Sequence, residues 1–118
     1  MADFGIFIGF GIPVPGREVA AAQVFGEAIA YYEELKAAGD IESYTTGVLE
    51  AHGGDLGGFI ILRGEPEKLG RVRGSEKFQR NSLRAAYAVQ DVGVVTVLLD
   101  GEAGRFVSTA NDITADLR

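Results

Sequence analysis

The chain has 118 residues, a net charge of −6 and no cysteine; 47% of its residues are hydrophobic and 24% are charged. This length suits one domain that buries about two thirds of its unfolded surface. The absence of cysteine excludes a disulfide framework, a thiolate zinc site and a thiol nucleophile. No apolar run reaches the roughly 20 residues of a membrane span, and no basic segment precedes an apolar one at the N-terminus. The sequence therefore predicts a cytoplasmic protein that does not bind membranes.

The first predicted element is a strand over residues 4–10, whose side chains alternate between two faces. One face carries large apolar residues and is expected to lie under helices: Phe4, Ile6, Ile8 and Phe10. The other carries Phe7 between Gly5 and Gly9. Glycines inside a strand leave room for another backbone or for a cavity. Phe7 is therefore a candidate ligand-binding residue, in a mostly apolar cleft that this face and the helices would enclose.

The connection over residues 9–18 is rich in glycine and proline but matches neither common nucleotide-binding motif. A dinucleotide fingerprint needs a third Gly where Val14 stands. A phosphate-binding loop needs Lys and then Ser or Thr where Arg17 and Glu18 stand. We interpret the segment as a stiff connection and expect no cofactor; no cluster in the chain has the spacing of a metal site either.

The chain then repeats one order of elements. A helix is predicted from about Arg17 to Ala38, followed by a half-polar strand over Ile41–Glu50. After a Gly-rich turn, the same order continues with a strand over 58–63, a helical region from Pro66 that restarts at an N-capping Ser75, and a strand over 92–99. β-α-β-β-α-β in about a hundred residues predicts a ferredoxin-like α+β sandwich with an antiparallel sheet.

The last predicted strand is nearly continuous Val and Leu, which indicates burial on both faces. A single sandwich buries only one face of its sheet, so we expect a second copy of the chain to cover the other. The domain is predicted to span residues 1–100. In the tail, residues 101–118, we expect a short strand over Arg105–Ala110 and a fraying turn over Asn111–Leu117, which pack on the neighbouring subunit or are partly mobile.

Basic residues are concentrated in one part of this acidic chain. Seven of the eleven Lys and Arg residues fall between Arg63 and Arg84, where there are three acids. Four of them are spaced as one stripe along a helix: Arg73, Lys77, Arg80 and Arg84. The stripe is interpreted as a solvated helix face, with an anionic partner as the alternative. The net charge argues against a nucleic-acid partner.

Three polar residues complete the candidate site. His52, the only histidine, lies three residues before Asp55 in the turn; it is either a general base or metal ligand oriented by Asp55, or a turn residue. Tyr44 and Arg63 lie on the two strands joined by this turn and are expected to reach the open face of the sheet. There they would bind a carboxylate or an enolate, unless they are only a half-buried Tyr and an extended Arg at the rim.

Three segments resemble small, functionally uncharacterised bacterial proteins of the dimeric α+β barrel superfamily: residues 15–18 (PGRE), 52–59 (HGGDLGGF) and 75–80 (SEKFQR). The resemblance covers roughly residues 4–100. It implies two ferredoxin-like sheets packed face to face as a homodimeric barrel, with a cleft in each subunit between sheet and helices. Members include cofactor-independent monooxygenases, haem-degrading enzymes and muconolactone isomerases. The resemblance assigns no catalytic residue to this chain.

Two classes of function remain open on this evidence. One is a cofactor-independent oxygenase or isomerase that binds a small organic molecule, with Tyr44, His52 and Arg63 polarising the substrate. The other is a non-catalytic ligand-binding or subunit-association module, which the shortage of convergent polar groups favours.

Overall fold

The computed structural model describes residues 2–118. It contains four strands: β1 Phe4–Phe10, β2 Ser43–Val48, β3 Gly58–Arg63 and β4 Gly93–Leu98. It contains four α-helices, followed by a 3₁₀ turn at Ala115–Leu117: α1 Glu18–Ala37, α2 Pro66–Arg73, α3 Glu76–Ala88 and α4 Asp100–Ile113. None of these helices is long and apolar enough to cross a membrane.

The strands form one antiparallel sheet in the order β2-β3-β1-β4. β1 is a central strand, in which Phe7 lies opposite Ile61 of β3 and Val95 of β4. The predicted ferredoxin-like β-α-β-β-α-β sandwich is therefore confirmed. The two edge strands of the sheet are β2 and β4.

The hydrophobic core lies between one face of this sheet and the helices. Its members alternate along the strands and recur with helical spacing on α1, as the sequence pattern predicts: Ile6, Ile8, Ile60 and Leu62 from the sheet, and Ala28, Tyr32 and Leu35 from α1. Phe4 and Phe10 pack against this cluster from its margins. The opposite face of the sheet is covered by no helix within residues 2–118 and is called the open face below.

The helical region after β3 divides where the sequence predicts a break. Ser75 has extended backbone angles and its side chain accepts a hydrogen bond from the backbone N–H of Phe78, at 3.2 Å. Its hydroxyl also donates to the carbonyl of Val72 at 2.7 Å. Ser75 therefore ends α2 and starts α3, and this fixes the direction from which α3 crosses the sheet.

The predicted strand over Arg105–Ala110 is wrong, because residues 100–113 form α4. The prediction relied on the Ser, Thr and Asn content of the segment and overlooked its helical period. Apolar side chains recur every three or four residues, which is the spacing of one helix face: Ala103, Phe106, Val107, Ala110 and Ile113. No residue of α4 is buried. The radius of gyration, 16.1 Å, accordingly exceeds the roughly 13–14 Å of a compact chain of this length.

We expect the change Ser75→Ala to lower the free energy of unfolding by about 1 kcal/mol, because the first turn of α3 loses its N-cap. Urea unfolding followed by circular dichroism measures the change. Ser108→Ala, at an exposed position inside α4, is the matched control and is expected to change stability little. Equal stability of the Ser75→Ala variant and the unchanged chain would contradict the capping role.

Candidate functional site

A cleft of about 210 Å³ lies between the sheet, α1 and α3. Fifteen residues line it, and they include no Lys, Arg, Asp or Glu: Ile8, Phe10, Gly11, Pro13, Ala21, Val24, Phe25, Ala28, Tyr32, Ile60, Asn81, Ala85, Ala88, Val89 and Val92. The wall is thus apolar apart from one amide and one phenol. This combination of apolar surface and a few polar groups is typical of sites for small organic molecules.

The cleft exists because both helices carry small side chains where they face the sheet. Ala21 and Ala28 of α1 and Ala85 and Ala88 of α3 all lie in its wall. These positions face the sheet, and larger side chains at them would fill the cleft. Phe25, which the helical period assigns to the same apolar face of α1, is 41% exposed because it stands at the margin of the cleft.

The cleft therefore lies on the helix-covered face, and the expectation that the glycine-containing face of β1 borders it is wrong. On that open face, the space above Gly5 is filled by the side chains of Val97 and Ile61. The space above Gly9 is filled by the ring of Phe7 and by Leu56. Both glycines thus serve close packing of neighbouring side chains.

Phe7, the first predicted site residue, lies on the open face and stacks on Phe59, with ring centroids 5.8 Å apart. Further apolar residues share this face with them: Ile61, Val95 and Val97. The open face is thus a continuous apolar surface at the centre of the sheet. Phe7 does not line the cleft.

Tyr44 projects to the helix-covered face, so the prediction that it reaches the open face is wrong. It pairs in register with the core residue Leu62, and paired residues point to the same side of a sheet. Its ring packs against that of Tyr32, with centroids 5.7 Å apart. Its interaction with the carboxylate of Glu33 raises the pKa of Tyr44. Tyr44 and Arg63 therefore lie on opposite faces and cannot act on one ligand there.

Arg63 is engaged by carboxylates of its own chain. Its Nη2 donates to Asp3 Oδ1 at 2.7 Å and to Asp100 Oδ2 at 2.8 Å, and its Nε donates to the carbonyl of Ala2 at 2.6 Å. The Asp100 carboxylate, helped by Asp3, raises the pKa of Arg63. We call these three charged residues the Arg63 cluster. It ties the N-terminus to the first residue of α4, and Asp100 there has a positive φ of 45°, a left-handed conformation that Asp adopts more readily than most residues other than glycine.

His52 lies in the loop between β2 and β3, outside the cleft. Its Nδ1 accepts a hydrogen bond from the backbone N–H of Gly54 at 3.3 Å, so the ring proton lies on Nε2, which contacts the carbonyl of Leu56 at 2.7 Å. Both ring nitrogens are therefore used by the loop itself. No hydrogen bond joins His52 to Asp55 in the described residues. Phe7 and Arg63 share the open face, whereas Tyr44 lies on the covered face and His52 in the loop, so the four predicted site residues do not form one site.

The predicted basic stripe is divided between two helices, because Arg73 ends α2 and the other three residues lie on α3. Two of the four residues form ion pairs within the chain. Lys77 lies 3.0 Å from Glu34, and Arg84 lies 2.8 Å from Glu27, both on α1. Arg84 lowers the pKa of Glu27 by hydrogen bonding. These two ion pairs join α1 and α3 in antiparallel register.

No protein-family model matches the chain, and no curated protein matches it either. Solved structures do match, at low identity. A dabb family protein with a ferredoxin-like fold from Mesorhizobium loti has a TM-score of 0.64 at 7% identity, covering 83% of this chain and 97% of that one. A dimeric ferredoxin-like protein of unknown function from Jannaschia has a TM-score of 0.62 at 12% identity, covering 81% and 99%.

SnoaB, a cofactor-independent oxygenase from Streptomyces nogalater, has a TM-score of 0.56 at 12% identity and covers 84% of this chain and 95% of its own. These proteins share the ferredoxin-like fold with this chain, and the Jannaschia protein is described as dimeric. The fold therefore defines the class of this protein: it is a ferredoxin-like α+β domain.

Two polar residues of the cleft, Tyr32 and Asn81, are absent from the sequence-based candidates. Helical spacing assigns Tyr32 to the core-facing stripe of α1, where packing is the default role of a tyrosine. Asn81 carries no motif at all. One sequence signal could have identified them: helical spacing places each of these polar residues on the side of its helix that faces the sheet.

Burial raises the pKa of the Tyr32 hydroxyl above its ordinary value of 10.0. An acid whose pKa is raised by folding stabilises the fold below its unfolded pKa, and this contribution is lost as the pH rises above about 10. We therefore expect Tyr32→Phe to lessen the fall in unfolding free energy above about pH 10, measured by urea unfolding at several pH values.

Tyr31→Phe is the matched control for this titration. The Tyr31 hydroxyl lies 3.3 Å from Ser75 Oγ and outside the cleft, and its charge contributes less than burial does to the raised pKa of Tyr32. This variant is therefore expected to reduce the alkaline loss of stability by less than Tyr32→Phe does. Identical pH dependence of the Tyr32→Phe variant and the unchanged chain would contradict the burial of the hydroxyl.

Proposed function

We propose that this protein binds a small, largely apolar organic molecule in the cleft between α1, α3 and the sheet. The observation that carries the proposal is the cleft wall, which is apolar, lacks charge and is formed by small side chains on two helices. An apolar cavity of about 150 Å³ is enough to bind benzene. A cleft of about 210 Å³ therefore suits one aromatic ring with its substituents.

Catalysis is the second candidate, and the similarity to the cofactor-independent oxygenase SnoaB supports it at the level of fold. Tyr44, His52 and Arg63, the polarising residues expected from the sequence, do not line the cleft, and Tyr44 and Arg63 lie on opposite faces of the sheet, so they cannot serve this activity together. Tyr44 packs on Tyr32, and His52 is hydrogen-bonded to the Leu56 carbonyl. Arg63 binds two carboxylates. Because these side chains are engaged within the chain, we propose binding as the primary role. An oxygenase or isomerase activity would add chemistry to the same cleft without changing its ligand class.

The proposal includes a homodimer in which the open faces of two sheets meet. The open face carries an apolar surface on which Val95 is exposed and the other four side chains are half-buried in the single chain: Phe7, Phe59, Ile61 and Val97. Burying apolar area of this kind contributes about 25 cal/mol per Å². The dimeric state described for similar structures supports this arrangement.

The tail, residues 101–118, is proposed to pack on the second copy as part of the same interface. α4 leaves the sheet from its edge strand β4, and its apolar residues Phe106 and Val107 are exposed. The Arg63 cluster sets the direction of α4 at its first turn. Because α4 has a fixed direction and no buried residue in the single chain, its apolar side chains are suited to packing on the second copy.

We expect Ala85→Leu to weaken binding of p-xylene by about tenfold or more, because the added methyl groups occupy part of the cleft. Titration of ¹⁵N-labelled protein with p-xylene, followed by NMR, measures the affinity. The matched control is Ala86→Leu, which adds the same group at the next, exposed position of α3 and is expected to leave affinity unchanged. Absence of p-xylene binding to the unchanged chain, or equal affinity of both variants, would contradict the proposed site.

We expect Val95→Lys and Phe106→Lys each to shift the protein toward the monomer, since each places a charge in the proposed interface. Val95 is 55% exposed and Phe106 is 61% exposed in the single chain. Sedimentation equilibrium gives the dimer dissociation constant. Leu83→Lys, at a 73% exposed position on α3, is the control and should leave the dimer intact. A monomeric unchanged chain would refute the dimer, whereas an effect of Val95→Lys alone would remove α4 from it.

A further inference from the structure

We infer that Tyr32 and Asn81 form a polar recognition pair in the cleft, which selects an aromatic ligand bearing a neutral hydroxyl or carbonyl group. The inference rests on the proposed function, because it concerns the same cleft, and it adds the chemical class of the ligand. It is carried by two side chains in an otherwise apolar wall whose hydrogen-bonding groups have no partner among residues 2–118.

The Tyr32 hydroxyl faces the cleft. Tyr32 is only 2% exposed, yet its hydroxyl forms no hydrogen bond with any residue of the described chain. Every fully enclosed side-chain nitrogen or oxygen in residues 2–118 does have a hydrogen-bond partner. The Tyr32 hydroxyl is therefore not fully enclosed by protein atoms, and the open space that Tyr32 lines is the cleft.

The geometry of α1 agrees with this direction. Side chains on a helix lean toward its N-terminus. The other residues of α1 in the cleft wall precede Tyr32, at positions 21, 24, 25 and 28. The phenol therefore leans along α1 toward the cleft and closes its inner end.

Asn81 lies on α3 at the same level as Tyr32. The ion pairs Lys77–Glu34 and Arg84–Glu27 fix the antiparallel register of α1 and α3. Asn81 falls between Lys77 and Arg84, so it lies opposite the part of α1 between Glu27 and Glu34, which contains Tyr32. The Asn81 side chain forms no hydrogen bond within residues 2–118. Asn81 stands between two spaces, since it lines the cleft and also the charged surface groove between α1 and α3.

The two groups together define what they bind. The Tyr32 hydroxyl donates and accepts one hydrogen bond, while the Asn81 amide supplies a donor NH₂ and an acceptor oxygen. A phenolic hydroxyl satisfies both residues, and a carbonyl accepts from both. A carboxylate is disfavoured, because no cation lines the cleft to offset the loss of its hydration.

The test compares p-cresol with p-xylene, which differ by a hydroxyl in place of one methyl group. The dissociation constant of p-xylene divided by that of p-cresol measures the preference for p-cresol. This ratio is determined by NMR titration for the unchanged chain and for Tyr32→Phe and Asn81→Leu. Comparing this ratio between proteins cancels the cost of dehydrating the p-cresol hydroxyl, which is the same for each protein. We expect each substitution to reduce the preference for p-cresol by about fivefold, the effect of one neutral hydrogen bond.

Tyr31→Phe, which removes a hydroxyl outside the cleft, is expected to leave the ratio unchanged. Binding of p-xylene with the same p-cresol ratio in all variants would overturn the recognition pair and leave the proposed function standing. Binding of neither compound to the unchanged chain would instead overturn the proposed function. A reduced ratio for Asn81→Leu alone would overturn the role of Tyr32, and the reverse result would overturn that of Asn81.

Discussion

The one-sided cover of the sheet is the constraint on which the rest of this structure depends. α1 and α3 pack on the face formed by Ile6, Ile8, Ile60 and Leu62, and no element of residues 2–118 packs on the other face. The covered face has to be filled by the side chains of the two helices. The open face has to be covered from outside the chain, or its apolar surface remains in water.

The cleft is a consequence of how the covered face is filled. Two ion pairs, Lys77–Glu34 and Arg84–Glu27, join α1 and α3 at their outer edges. Below them, alanines face the sheet from both helices and leave the space that larger residues would occupy. The stripe of basic residues thus contributes to the helix pairing above the cleft, and the apolar side chains beneath it determine which molecules fit.

The open face and α4 are coupled through the Arg63 cluster. Arg63 stands at the end of β3, and its guanidinium binds both Asp3 and Asp100. In these contacts the Nη2 of a partly buried Arg donates to both carboxylates, so they set the direction of α4 more than they stabilise the fold. Arg63, which the sequence suggested as a ligand-binding residue, is therefore better explained as the residue that connects the sheet to α4.

Local sequence patterns determined the elements of this fold and most of their bounds. Alternation in β1, the helical period of α1, the proline at the start of α2 and the capping Ser75 each depend on neighbours within a few residues, so they can be deduced from the chain alone. The tail was mispredicted because Ser, Thr and Asn content favours loops, while the helical period of Phe106, Val107 and Ala110 decided the outcome.

The site, in contrast, was decided only by the tertiary structure. Strand register places Tyr44 opposite Leu62 and so on the covered face, and one residue of shift would have placed it on the open face. The pairing of Arg63 with Asp3 and Asp100 joins residues far apart in sequence. Tyr32 and Asn81 come to one cleft only because α1 and α3 pack in antiparallel register. The sequence by itself determined which faces are apolar, and long-range packing determined which polar groups meet there.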